Sequence, residues 1–106
     1  MWAQMITMRL MPGKEADLPR LYEQLRASEQ TGSGLLRTTA MRDEKDPSRV
    51  VHLVIFESEE KARAREEDPR RQEALAKVRE TMAQIFEGPP EFTDLQVIED
   101  KVYQSG

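Results

Sequence analysis

From Val50 to Phe56 the chain reads "VVHLVIF", an almost wholly apolar, β-branched run with one polar member, His52, the only histidine of the sequence. Such residues in a stretch of this length specify a strand. Successive strand side chains point to opposite faces, so Val50, His52, Val54 and Phe56 share one side while Val51, Leu53 and Ile55 share the other. Both sides are apolar, whereas a strand with one wet face alternates more cleanly. The first segment, Trp2 to Met11, behaves alike: Trp2, Gln4, Ile6, Met8 and Leu10 lie on one side, Ala3, Met5 and Met11 on the other. A sheet built from these strands must be covered twice.

The remaining elements follow from period and punctuation. In "KEADLPRLYEQLRASEQ", Leu18, Leu21, Tyr22 and Leu25 fall at the spacing of a narrow helical stripe. Pro19 belongs in the first turn, where its missing N–H does little harm, and "TGSG" (Thr31 to Gly34) closes the segment. Leu35 to Asp43 reads as a strand, "DEKDPSR" as a turn and Val50 to Glu57 as its hairpin partner. Ser58 is placed to cap a short helix, "EEKARAREE". Asp68-Pro69 restarts a helix whose buried stripe is Leu75, Val78, Met82, Ile85 and Phe86, with "EGPPE" as its stop. Phe92 to Glu99 is the expected last strand, with Leu95 and Val97 on one face, and residues 101–106 form a tail beyond a single domain of residues 1–100.

The order β-α-β-β-α-β is the split βαβ arrangement of a ferredoxin-like α+β fold: one four-stranded antiparallel sheet with two helices on one side. Met5, Val51, Leu53 and Ile55 then point away from the helices and would leave a large apolar patch exposed. Burying that patch against a second copy removes the cost, so a two-fold homodimer with facing sheets is expected.

Composition narrows the function. With 20 acids, 16 bases and a net charge of −4, the chain lacks the basic stripe of a nucleic-acid binder. Absent cysteine rules out disulfides, thiolate metal sites and a thiol nucleophile; one histidine makes a protein-only zinc site improbable. No secretory signal or membrane-length apolar run is visible, so a cytoplasmic protein is expected. The serines, Ser28, Ser33, Ser48, Ser58 and Ser105, lie in polar loops or helix ends with no accompanying His–acid pattern. "TGSG" is too short for a phosphate loop and follows a helix rather than a strand.

Three passages, "RLMPGKEADLPRLYEQL", "DPSRVVHLVIFESEEKARA" and "EDPRRQEALAKV", in this order and spacing resemble the antibiotic-biosynthesis monooxygenase-like proteins of the dimeric α+β barrel group. The resemblance implies a cavity between sheet and helices in each subunit. It implies oxidation of quinol or polyphenolic aromatics by O2 with no bound metal or flavin, or, in some members, degradation of a haem bound as substrate. The chain departs from the family pattern where tryptophan is frequent (Phe56), where helix histidines are frequent (Arg65, Arg70, Arg71) and where haem-degrading members carry a strand-one asparagine (near Ile6). No cofactor is therefore expected, and haem binding through an imidazole is not.

On this reading His52 is the candidate catalytic base beside a phenol, since histidine titrates in the required range; alternatively it is a packed residue with one satisfied nitrogen. Gln4 is a candidate to orient a ligand oxygen, or a polar residue at the sheet end. Trp2 and Phe56 are candidate stacking walls, or core. Tyr22 would hang over the cavity. Thr38 could donate one hydrogen bond into it. Arg65 and Arg71 could attract an acidic or phenolate ligand at its mouth, or pair with Glu66, Glu67 or Glu73 on the helix surface. The two functions left open are an oxygenase and a non-catalytic, ligand-binding or stress-associated dimer. A third possibility is a pocket filled by its own side chains, which six methionines would suit.

Overall fold

The structure, a computed structural model, describes residues 1–104; Ser105 and Gly106, the end of the expected tail, lie outside the described residues. Strand β1 (Trp2–Leu10) leads through a 3-10 turn (Glu15–Asp17) into helix α1 (Leu18–Ser28), followed by β2 (Leu35–Arg42), β3 (Arg49–Phe56), α2 (Glu59–Glu67), α3 (Pro69–Ala74), α4 (Ala76–Ile85) and β4 (Phe86–Gln96). The four strands form one antiparallel sheet in the order β2-β3-β1-β4. This is the expected ferredoxin-like arrangement, with the helices on one face.

Local chemistry sets most boundaries. Pro19 sits in the first turn of α1. The Ser58 side chain accepts from the backbone N–H of Lys61, and that of Asp68 from Arg70, so both caps act as the sequence indicates. In the β2–β3 turn the Asp43 carboxylate accepts from the backbone of Lys45 and Asp46. Gly34 has φ +85°, and a Cβ there would lie 2.7 Å from the Lys61 side chain, so glycine lets this turn lie against α2.

Two expectations need correction. The helix begun at Pro69 is not continuous: it breaks at Leu75, and α4 starts anew at Ala76. Further, "EGPPE" does not separate α4 from the last strand. It lies inside β4, which begins at Phe86 and ends at Gln96, so Val97 to Glu99 fall outside it. The physical reason is a register shift between Thr7 and Arg9: β1 spends one residue, Met8, where β4 spends Gly88, Pro89 and Pro90. A bulge on an edge strand is where prolines, lacking a ladder N–H, are tolerated. Phe86 is buried as expected, but as the first strand residue rather than the last helical one.

The helix side of the sheet holds the core. At one end Met8, Leu10 and Val50 pack with Leu21, Leu75, Val78, Ile85 and Phe86; at the other Trp2, Val54 and Phe56 pack with Ala62. On the opposite side Met5, Val51, Leu53 and Ile55 are only half-buried, and Met41 and Leu95 are exposed. None of the described helices is long and apolar enough to cross a membrane.

Candidate functional site

The ladder fixes which candidates share the helix side. Residues paired directly across antiparallel strands project to the same face. Ile6 pairs with His52 and Phe92, and His52 with Ala40; Gln4 pairs with Val54 and Asp94, and Val54 with Thr38; Trp2 pairs with Phe56. Trp2, Gln4, Thr38, His52 and Phe56 thus lie on one surface beneath the helices, as the strand period requires.

Their surroundings differ. Tyr22 of α1 reaches down so that its hydroxyl lies 2.9 Å from His52 Nε2, with the rings edge-on at 5.3 Å. Burial lowers the His52 pKa to about 4 and raises that of the Tyr22 phenol, so both are neutral near pH 7. In the neutral ring with its proton on Nδ1, Nε2 accepts from the phenol. The hydroxyl of Tyr22 is therefore held by His52.

One level along the sheet, the Trp2 and Phe56 rings meet at 5.9 Å and 43°. Helix α2 crosses above them. Its buried Ala62 faces down, and that small side chain allows the close approach. The flanking arginines spread to either side: the Arg63 guanidinium stands 5.1 Å from the Trp2 ring centre and that of Arg65 stands 5.3 Å from Phe56. Both rings are nearly closed off from solvent.

A hollow opens on each side of α2. Toward β4, Gln4, Arg63, Glu66, Phe92 and Asp94 line a space of about 320 Å³. Gln4 Nε2 donates to Asp94 at 3.1 Å, and Arg63 bridges Asp94, Glu59 and Glu66 at 3.0 to 3.5 Å. The Gln4 bond and the Arg63 guanidinium hold the Asp94 carboxyl below its ordinary pKa. Phe92 projects here and is 60% exposed. Toward α1, a second hollow of about 150 Å³ is lined by the Gln30–Ser33 turn and by side chains from α2, α3 and the link between them, among them Arg65 and Arg71.

Arg65 does not pair with Glu66, Glu67 or Glu73. Its fork grips Glu29, at the end of α1, with Nη2 at 2.6 Å and Nε at 3.1 and 3.2 Å. Burial works against the Glu29 charge, but Arg65 and Ser33 outweigh it and leave the carboxyl below its usual range. Arg71 also forms none of the expected pairs: among the described residues its guanidinium has no hydrogen bond or ion pair. Burial and the nearby Arg65 charge both act against its protonated form. Thr38 is exposed on the rim at β2, and none of the described side-chain hydrogen bonds involves it. The sequence pattern did not point to Glu29 or Asp94, because their partners Arg65 and Gln4 are 36 and 90 residues away; for Arg63 the helical period gives Glu59 and Glu66, but not Asp94, 31 residues on.

The fold and this helix-covered face define a small ferredoxin-like α+β protein. The antibiotic biosynthesis monooxygenase family model matches residues 1–83, and the chain belongs to that family. Among solved structures, the chain is similar to an antibiotic biosynthesis monooxygenase assignment from Bordetella bronchiseptica (22% identity, 92% of this chain and 98% of that one, TM-score 0.72). It is similar also to one from Nitrosomonas europaea (16%, 93% and 100%, TM-score 0.72). A mutant of MhuD, solved with two manganese protoporphyrin IX molecules bound per active site, aligns at TM-score 0.78 with 16% identity over 97% and 100% of the chains. At these identities the likeness concerns the fold. No curated protein is similar in sequence.

Proposed function

We propose that this protein is a homodimeric, cofactor-independent oxygenase of small aromatics, taking a phenolic or quinol-type ligand on the helix side of its sheet. The observation that carries the reading is the Tyr22–His52 pair, two neutral polar groups bonded to each other on the helix-covered face of the sheet. A ligand hydroxyl entering between them can donate to Nε2 and accept from the phenol. As its proton moves toward His52 the ring becomes electron-rich enough to reduce O2. For a quinol, one oxygen atom is inserted at a ring C–H as a hydroxyl and the other leaves as water with the two quinol O–H hydrogens, so that a hydroxyquinone forms. In this reading Trp2 and Phe56 form the walls and Gln4 and Thr38 the polar rim, while Arg65, bonded to Glu29, and Arg71 line a separate hollow and take no part. A porphyrin fits poorly: the one imidazole is on a strand and already bonded, and the helices offer arginines.

The bare side of the sheet supports the homodimer. Half-buried Met5, Val51, Leu53 and Ile55 form an apolar surface with exposed Met41 and Leu95. At roughly 25 cal/mol per Å², a standard interface would supply tens of kcal/mol before association costs. Sedimentation at micromolar concentration is expected to report twice the subunit mass.

O2 consumption with a panel of hydroquinones, comparing the parent with His52→Ala and Tyr22→Phe, tests the chemistry. A fall of at least tenfold in kcat for His52→Ala is expected; equal rates would remove His52 from the reaction. A second reading, binding without oxygenation, is favoured by one specific fact: an imidazole with a pKa of about 4 is a weak base. Saturable quinol binding without O2 uptake would decide for it.

A further inference from the structure

We propose that the hollow between the α1–β2 turn and the α2–α3 segment is a seat for a small monocarboxylate, with Arg71 as its principal ligand. This stands independently of any chemistry at Tyr22 and His52, which do not line the hollow. Four cations line it: Lys61, Arg65, Arg70 and Arg71. Three have carboxylates of their own. Lys61 pairs with Glu57, Arg65 with Glu29 and Arg70 with Asp68. Arg71 is left over. The further charges that act on it, Glu66 and Arg79, offset one another in sign and leave the surplus at one.

A partly buried cation without a partner is costly, because lost hydration is not repaid. The surrounding wall is already built. Glu29 is locked by the Arg65 fork and by Ser33, whose hydroxyl in turn accepts from the backbone N–H of Leu35. Little reorganisation is then needed to bind. An anion set against Arg71 would make charge-assisted bonds to a planar fork suited to carboxylate geometry. The neighbouring Arg65–Glu29 contact is that pairing formed within the chain itself. Charge decides between anions: a single negative charge balances the surplus, whereas a phosphate near −2 would overshoot it beside Glu29 and Asp68. Size agrees. About 150 Å³ leaves room for an acid of a few carbons.

Lactate and acetate, with phosphate and chloride as comparisons at constant ionic strength, would be titrated into the full chain by calorimetry and thermal unfolding. Saturable binding of lactate is expected, with phosphate weaker. Arg71→Gln should weaken lactate roughly tenfold or more, the loss of one charge-assisted pair, and Arg71→Lys should fall between. Arg63→Gln, on the far side of α2, should bind as the parent does. Because Arg71→Gln removes an unpaired cation, its thermal midpoint without ligand should equal or exceed the parent's, so a loss of binding would not reflect misfolding. Equal stabilisation by all four anions, phosphate binding tighter than lactate, or an Arg71→Gln titration superimposing on the parent's would overturn the proposal.

Discussion

The two sides of helix α2 carry the same residue type to opposite ends. Arg63, toward β4, meets three carboxylates, Glu59, Glu66 and Asp94, all well exposed. Toward α1, among the described residues, Arg65 meets Glu29 alone at a far less exposed site, and Arg71 beyond it meets none. The first side is a closed surface network, which water and salt screen and which contributes little. The second is partly desolvated, so its pairing matters more and its imbalance cannot be hidden by solvent. Counting ion pairs would rate the β4 side as the stronger; burial reverses that ranking.

The largest effect expected lies on the α1 side and comes from a proton. His52 has a folded pKa of about 4 against 6.5 in the open chain. The folded state binds fewer protons, so its stability contribution is present above pH 6.5 and is lost as pH falls toward 4, by up to about 3 kcal/mol. Protonation would also add a second cation to the side that already has one to spare. Denaturant titrations of the parent and His52→Gln from pH 7 to 4 should converge in stability as pH falls, the parent losing more. Parallel pH profiles would show that the imidazole is not buried neutral.

Next comes Glu29→Gln. It strands Arg65 as well as Arg71 and should cost roughly 2–3 kcal/mol, below the range for fully buried pairs because both partners keep some exposure. Lactate should restore part of that loss, which sharpens the contrast between the two sides. Ala62→Leu, under the middle of α2, should cost about 1–3 kcal/mol by overpacking the Trp2–Phe56 pair. Asp94→Asn, on the β4 side, should leave the denaturation midpoint within error of the parent. A large loss there would break the comparison.

What the sequence revealed and concealed follows the same division between local and distant. The caps at Ser58 and Asp68, Pro19 in its first turn, and the shared face of Trp2, Gln4, His52 and Phe56 each depend on residues a few positions apart, and all could be read directly. Tyr22 could be placed over the sheet, but its bond to His52 depends on how α1 lies across β3. The β4 boundary was hidden because Gly88-Pro89-Pro90 reads as a stop; only the pairing with β1 turns it into an edge bulge. Glu29 resembled any acid at a helix end until the fold brought Arg65 to it. The pairings expected for Arg65 and Arg71 failed for the reason that makes them informative. Acids close in sequence lie on exposed helix faces, whereas these arginines turn toward α1.

The most direct test reads the two sides at once. In a lactate titration followed through the arginine Nε–Hε resonances, Arg71 should shift progressively to saturation while Arg63 stays in place. Equal movement of both, or a stationary Arg71 while lactate binds elsewhere, would contradict the account.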